Sequence, residues 1–225
     1  MNRTFFITGT DTGVGKTVLT ALLARRLCQG GASVAALKPI CSGGRDDGRV
    51  LCAAMAGALS LDKINPWHFR APIAPLLAAR REHKRVVLAD VLAHVRRMQR
   101  RFDLVLVEGA GGLLSPLGEN FNSRDLIARL HATSVVVCPN RIGVVNAVLL
   151  TLEALPKDLQ EDAWVILMSL PKSDAAAGAN AKLLGEFFNP NRILRLPWLG
   201  ERFQPDQALQ NPAVRGALRA LRGLE

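Results

Sequence analysis

The sequence predicts an α/β fold, a mostly parallel open sheet with helices on both faces. Three observations predict it. Apolar runs alternate with helical patterns along the chain. Several runs, such as "DLVLVE" and "TSVVVC", are rich in Val and Leu without polar alternation, as strands covered on both faces require. Glycine-rich turns follow strand ends, as in "ITGTDTGVGKT" and "VEGAGG".

In chain order, strands are expected at residues 4–8, 33–38, 103–108, 133–138, 163–168 and 192–196. Helices are expected at 16–29, about 47–58, 88–101, 123–131, 144–155, 174–188 and 206–222. Gly30 and Gly31 end the first helix, and Asp90 and Ser123 are candidate caps. Residues 39–87 are the least regular and hold Pro39, Gly43, Gly44, Pro66, Pro72 and Pro75. This stretch reads as an insertion at the sheet edge that faces a substrate.

The 225 residues suit one domain, taken as 1–225. Hydrophobic residues make up 49% and charged residues 21%, as in a soluble globular protein. No apolar run reaches about 18 residues, and the first residues do not form a signal peptide. A cytoplasmic protein is expected. Cys28, Cys41, Cys52 and Cys138 show no metal-ligand spacing and read as reduced, mostly buried thiols. Net charge is +10, much of it in "RREHKR" (80–85) and "RRMQRR" (96–101). No aromatics interleave these charges to stack bases, so they read as solvated helix faces and not as nucleic-acid or membrane contacts.

The chemistry is concentrated at strand ends. "FITGTDTGVGKT" places a strand, a glycine turn and a helix in succession. In such a P-loop, backbone N–H groups and the helix start converge on phosphates, a lysine bridges phosphate oxygens, and a hydroxyl meets Mg²⁺. Gly13 and Gly15 allow the turn, Lys16 supplies the charge and Thr17 the hydroxyl. Gly9 stands one residue early, with Thr10 where the general pattern has its first glycine. The expected ligand is a nucleoside triphosphate with Mg²⁺. A P-loop also needs a carboxylate near the metal, and Glu108 ends an apolar strand before Gly109, Gly111 and Gly112. Lys38, held extended by Pro39, would bring a second ammonium to the same crevice. Asp46 and Asp47 follow, and either could complete the metal shell.

These segments together resemble dethiobiotin synthetase. The resemblance rests on "FITGTDTGVGKT", "KPICSGG", "NPWHFRAPIAP", "VEGAGGLLSPL" and "LPWLGE", in the family's order over nearly the whole chain. It implies a P-loop NTPase fold working as a homodimer with its active site at the interface. It implies small-molecule substrates, with neither nucleic acid nor membrane as a partner. The implied reaction joins CO2 to 7,8-diaminononanoate with MgATP, through a carbamate and a carbamic–phosphoric anhydride. By the same resemblance Lys16 and Lys38 are catalytic, and Thr17, Asp47 and Glu108 bind Mg²⁺. Nucleotide contacts are implied for Thr12, Gly13, Val14, Gly15, Lys16, Thr17 and Val18. They are also implied for Glu108, Gly111, Pro197, Trp198 and Leu199. Thr12 and Ser42 would face the substrate. Gly143, Val144 and Asn146 of a second subunit would hold its carboxylate at a helix start. Ser169 stands where the family often has an Asn that reads adenine.

Two other readings compete. Cobyrinic acid diamide synthases share the loop but need a glutaminase domain, for which the chain is too short. A ParA/MinD-like ATPase switch acting on DNA or membrane would suit the positive charge. Such switches usually carry a second loop lysine where this chain has Asp11. The weakly basic, amphipathic "AVRGALRALRGL" is the feature that favours a switch.

Overall fold

The computed structural model describes residues 3–221. The first strand, β1 (Arg3–Gly9), leads through the glycine loop into α1 (Lys16–Gln29). Leu19, Leu22, Leu23 and Leu27 form the buried stripe of α1, spaced by three and four residues. Gly30 N–H closes on Arg26 O, and Gly31 adopts φ +82°, so the two glycines stop the helix as expected. β2 (Val34–Leu37) follows.

Residues 39–87 are more ordered than their composition suggests. They hold β3 (Ile40–Ser42), α2 (Asp46–Ala54), α3 (Leu61–Ile64), β4 (Trp67–Phe69) and α4 (Pro75–Arg81). β3 and β4 pair as a separate parallel two-stranded sheet. Then come α5 (Leu88–Gln99), β5 (Leu104–Glu108), α6 (Ser123–Leu130) and β6 (Thr133–Pro139). α7 (Val144–Glu153), α8 (Lys157–Gln160), β7 (Trp164–Met168), α9 (Asn180–Leu184) and β8 (Ile193–Leu196) follow. α10 (Pro205–Ala208) and α11 (Pro212–Ala220) complete the described chain.

The main sheet runs β2-β5-β1-β6-β7-β8, with every neighbouring pair parallel. Every residue of β2, β5 and β7 is buried, which accounts for their unbroken apolar sequences. The chain leaves β1 for the β2 edge, returns to β5 and then crosses to β6. The order therefore reverses at β1, and its loop sits at the switch point where parallel sheets bind ligands.

Several boundaries differ from expectation. The second helix stops at Ala54, and the helix expected over 174–188 is reduced to Asn180–Leu184. The helix expected over 206–222 is two helices, because Pro212 has no N–H to continue α10 and instead begins α11. Asn211, not an interior residue, caps that second start, and residue 222 lies outside the described residues. α6 is capped by Asn122 rather than Ser123. Asn122 accepts from the N–H groups of Arg124 and Asp125, while the Asp125 carboxylate accepts from the Asn122 N–H. Asp90 sits in the first turn of α5, behind a Val87 cap position.

All four cysteines are free thiols, with Cys41 and Cys138 buried. Burial pushes the Cys138 thiol up to about 12. Among the described residues no helix is long and apolar enough to cross a membrane.

Candidate active site

The register of three parallel strands assembles the site. Ile7 of β1 pairs with Glu108 of β5, and Leu37 of β2 pairs with Val107. The residues following these strands therefore emerge side by side. The glycine loop, Lys38 and the Glu108 carboxylate meet at one end of the sheet, around a cavity of about 670 Å³.

The glycine loop owes its shape to backbone positions that other residues resist. Gly13 has φ +72° and Gly15 φ +100°. Gly9 is constrained differently, since a Cβ there would lie 2.8 Å from Val14 Cγ2 and 3.0 Å from Val137 O. The early glycine in the motif is thus required by β6 packing behind it. Lys16 Nζ donates to Asp11 O at 2.6 Å, folding back over its own loop. Burial, reinforced by the neighbouring Lys38 charge, lowers the Lys16 pKa to about 8.

Lys38 lies at the centre. Its ammonium donates to Glu108 Oε1 at 2.6 Å and stands 2.9 Å from Asp47 Oδ2. Thr17 Oγ1 donates to the same Glu108 oxygen at 2.7 Å. Burial alone would lower the Lys38 pKa, but Glu108 and Asp47 outweigh it and raise it above the ordinary lysine value. Burial would likewise raise the Asp47 carboxyl, but Lys38 outweighs it and holds that carboxyl below the usual range. The two adjacent aspartates separate here. Asp47 turns into the cavity, while Asp46 pairs with exposed Arg49 at 2.7 Å.

The irregular segment holds Lys38 in place. Lys38 N–H donates to Ile64 O at 3.0 Å, and its carbonyl accepts from Asn65 Nδ2 at 2.7 Å. Asn65 is fully buried, and its Oδ1 accepts from the Cys41 thiol at 3.1 Å. Pro72, Ile73, Ala74 and Pro75 form a wall of the cavity, as do Cys41, Ala110 and Ser115. None of these was singled out from the sequence. The paired prolines of "APIAP" were the available signal, and the separation of about 60 residues from the glycine loop hid it.

Of the other expected residues, Thr12, Gly13, Gly15, Val18, Ser42 and Gly111 also line this cavity. Val14, Gly143 and Val144 line a neighbouring hollow of about 480 Å³, which Thr12 and Gly13 share. Asn146 borders a different hollow, beside Phe187 and Phe188. Pro197, Trp198 and Leu199 follow β8 and line none of these hollows, with Trp198 46% exposed. The arginines of both basic runs are exposed on the protein surface.

Gly111 offers a direct check of the loop's role. It has φ +69°, and a Cβ there would lie 2.9 Å from Ser115 Cβ and closer still to Ser115 Oγ. Gly111→Ala is expected to displace the loop and to destabilise the protein by about 1–2 kcal/mol. Thermal melting and steady-state kinetics check this. Unchanged melting and unchanged kcat/KM would show that the loop yields freely.

The donor set suits a hard divalent cation. Two carboxylates and one hydroxyl gather at one point, and Glu108 Oε2 is buried with no hydrogen-bond partner. Magnesium is commonly held by one or two carboxylates together with phosphates and water.

Comparisons with known proteins agree with this geometry. The family described as "AAA domain" matches residues 3–205. The ATP-dependent dethiobiotin synthetase BioD of Anaeromyxobacter dehalogenans (strain 2CP-C) is 36% identical over 223 residues, covering 97% of this chain and 98% of its own. That of Thermodesulfovibrio yellowstonii is 35% identical, covering 89% and 91%. That of Bacillus velezensis is 40% identical over 67% of each chain. Among solved structures, a pNOB8 ParA bound to nonspecific DNA superposes with a TM-score of 0.60 at 15% identity, covering 98% of this chain and 97% of that one. That likeness is one of fold. With a P-loop at the switch point of a parallel sheet and relatives matched over nearly their full length, the chain belongs to the dethiobiotin synthetase family of ATP-dependent ligases.

Proposed function

We propose that residues 1–225 form one synthetase domain, which carboxylates 7,8-diaminononanoate with CO2 and MgATP and closes the ureido ring of dethiobiotin. The observation that carries this reading is the convergence of Lys16, Lys38, Thr17, Asp47 and Glu108 in one cavity. Lys16 and the N–H groups of the glycine loop bind the nucleotide phosphates. Thr17, Asp47 and Glu108 hold Mg²⁺, which when bound neutralises charge on the phosphates. Thr12 and Ser42 face the diamine.

The chemistry needs no side-chain nucleophile. One substrate amine adds to CO2 and loses a proton, giving a carbamate. A carbamate oxygen attacks the γ-phosphorus and ADP leaves, giving the carbamic–phosphoric anhydride. The second amine attacks the carbamoyl carbon, phosphate leaves with the C–O bonding pair, and the ring closes. Every attacking atom belongs to the substrates, so the protein contributes positioning and charge. Lys38 and Lys16 balance the negative charge that accumulates on the carbamate and the transferring phosphoryl group. Cys41, although it lines the cavity, has its pKa raised by burial, and its thiol is within hydrogen-bonding distance of the Asn65 side chain and Gly44 O.

A second copy completes the site in this reading. The start of α7 presents Gly143, Val144 and the exposed Asn146, with exposed Ile142 and Leu150 on the same surface-facing segment. Backbone N–H groups at that start suit the substrate carboxylate.

ATP turnover distinguishes this reading from a switch. Turnover is expected to rise at least about 10-fold when diamine and bicarbonate are both present, the scale of a positioning effect. DNA and anionic vesicles are expected to leave it unchanged. The opposite pattern would overturn the reading.

A further inference from the structure

Glu108 Oε1 accepts from two donors, the Lys38 ammonium at 2.6 Å and the Thr17 hydroxyl at 2.7 Å. The same ammonium reaches Asp47 Oδ2 at 2.9 Å. Lys38 therefore touches both carboxylates of the cation-binding set, and its side chain is only 5% exposed. A buried ammonium in this position keeps the two carboxylates compensated. A divalent cation on those oxygens, at about 2.0–2.1 Å, would stand beside that ammonium. Like charges this close repel strongly in a poorly solvated site.

The charge balance sharpens the point. Lys16 and Lys38 carry two positive charges, and Asp47 and Glu108 two negative ones. Nucleotide phosphates supply the missing negative charge and offer both lysines new partners. The Lys38 backbone is pinned on both sides by Ile64 and Asn65, so only its side chain has to move.

We propose that the Lys38 ammonium holds the place of the divalent cation between Glu108 and Asp47, so that the cation enters only with nucleotide phosphates, which draw Lys38 away as it arrives. This rests on the reading of Thr17, Asp47 and Glu108 as the cation-binding set. Its consequence is order. The lysine that serves the transferring phosphoryl group is released only once the nucleotide is loaded.

The test is Mn²⁺ binding to the full chain without nucleotide, read by electron paramagnetic resonance. Lys38→Met removes the ammonium, and Lys38→Gln removes its charge while keeping a similar length and an N–H donor. Both variants are expected to bind Mn²⁺ at least about 10-fold more tightly than the parent, whose own binding should become tight only with ADP. In the variants alone, Mn²⁺ should also raise the thermal midpoint. Equal affinities in parent and variants, or tight nucleotide-independent binding by the parent, would overturn the proposal. If neither variant folds, the parent decides alone: uptake of Mn²⁺ only with ADP supports the proposal, and uptake without it overturns it. Glu108→Gln, titrated with MnADP, tests the underlying set separately. Unchanged MnADP affinity there would remove the set itself. Weakened affinity there, with no gain in the Lys38 variants, would remove only the role given to Lys38.

Discussion

Lys38→Ala is expected to lower dethiobiotin formation by at least about 10²-fold while nucleotide binding stays close to the parent value. The size follows from losing one preorganised charge aimed at the transferring group, an effect of about 10²–10³-fold. Nucleotide binding survives because the glycine loop, Lys16 and Thr17 are untouched. The substitution has a structural side too. Glu108 is 1% exposed, and without Lys38 its charge loses its nearest positive partner. Removing one member of a buried pair costs about 3–5 kcal/mol. The variant should therefore melt earlier than the parent and recover when MgADP is added. Fluorescent-nucleotide titration and product chromatography separate the two effects. Near-normal product formation would contradict the two-lysine account.

Lys16→Ala is expected to remove nucleotide binding and turnover together. Charge-assisted hydrogen bonds to phosphate contribute about 1.5–3 kcal/mol each, and Lys16 is placed to make more than one. Calorimetric titration should show affinity falling by at least about 10²-fold, the equivalent of two such bonds. The depressed Lys16 pKa adds a pH signature in the parent. The free ammonium titrates near 8, and bound phosphate keeps it protonated. Binding then takes up a proton above that pH, so affinity weakens as pH rises through about 8. Unaltered affinity in Lys16→Ala would place the phosphates elsewhere.

The parts of the site that were legible in the sequence are local or sit at strand ends. The run from Phe5 to Thr17 declares a strand, a turn and a helix within a few residues, and the positive φ at Gly13 and Gly15 is what those glycines announce. Glu108 is legible because an acidic residue ending an apolar strand has one place to point in a parallel sheet. Asp46 and Asp47 were not separable. Neighbouring helix positions differ by about 100° around the axis, and only the docking of α2 decides which one faces Lys38. β3 and β4 have three residues each, too few to show a period, and they pair across more than 20 intervening residues. Asn65 illustrates the same limit. Its partners Lys38, Cys41 and Arg45 are distant in sequence, and nothing local marks it as a tie between loops. Pro212 is the opposite case, a legible helix break masked by an otherwise continuous amphipathic pattern.

The most direct test of the central claim is a single incubation of the full chain with MgATP, labelled bicarbonate and 7,8-diaminononanoate. The account predicts an acid-stable labelled ureido product, with one phosphate released per ring. ATP hydrolysis indifferent to the diamine, with no labelled product, would contradict it.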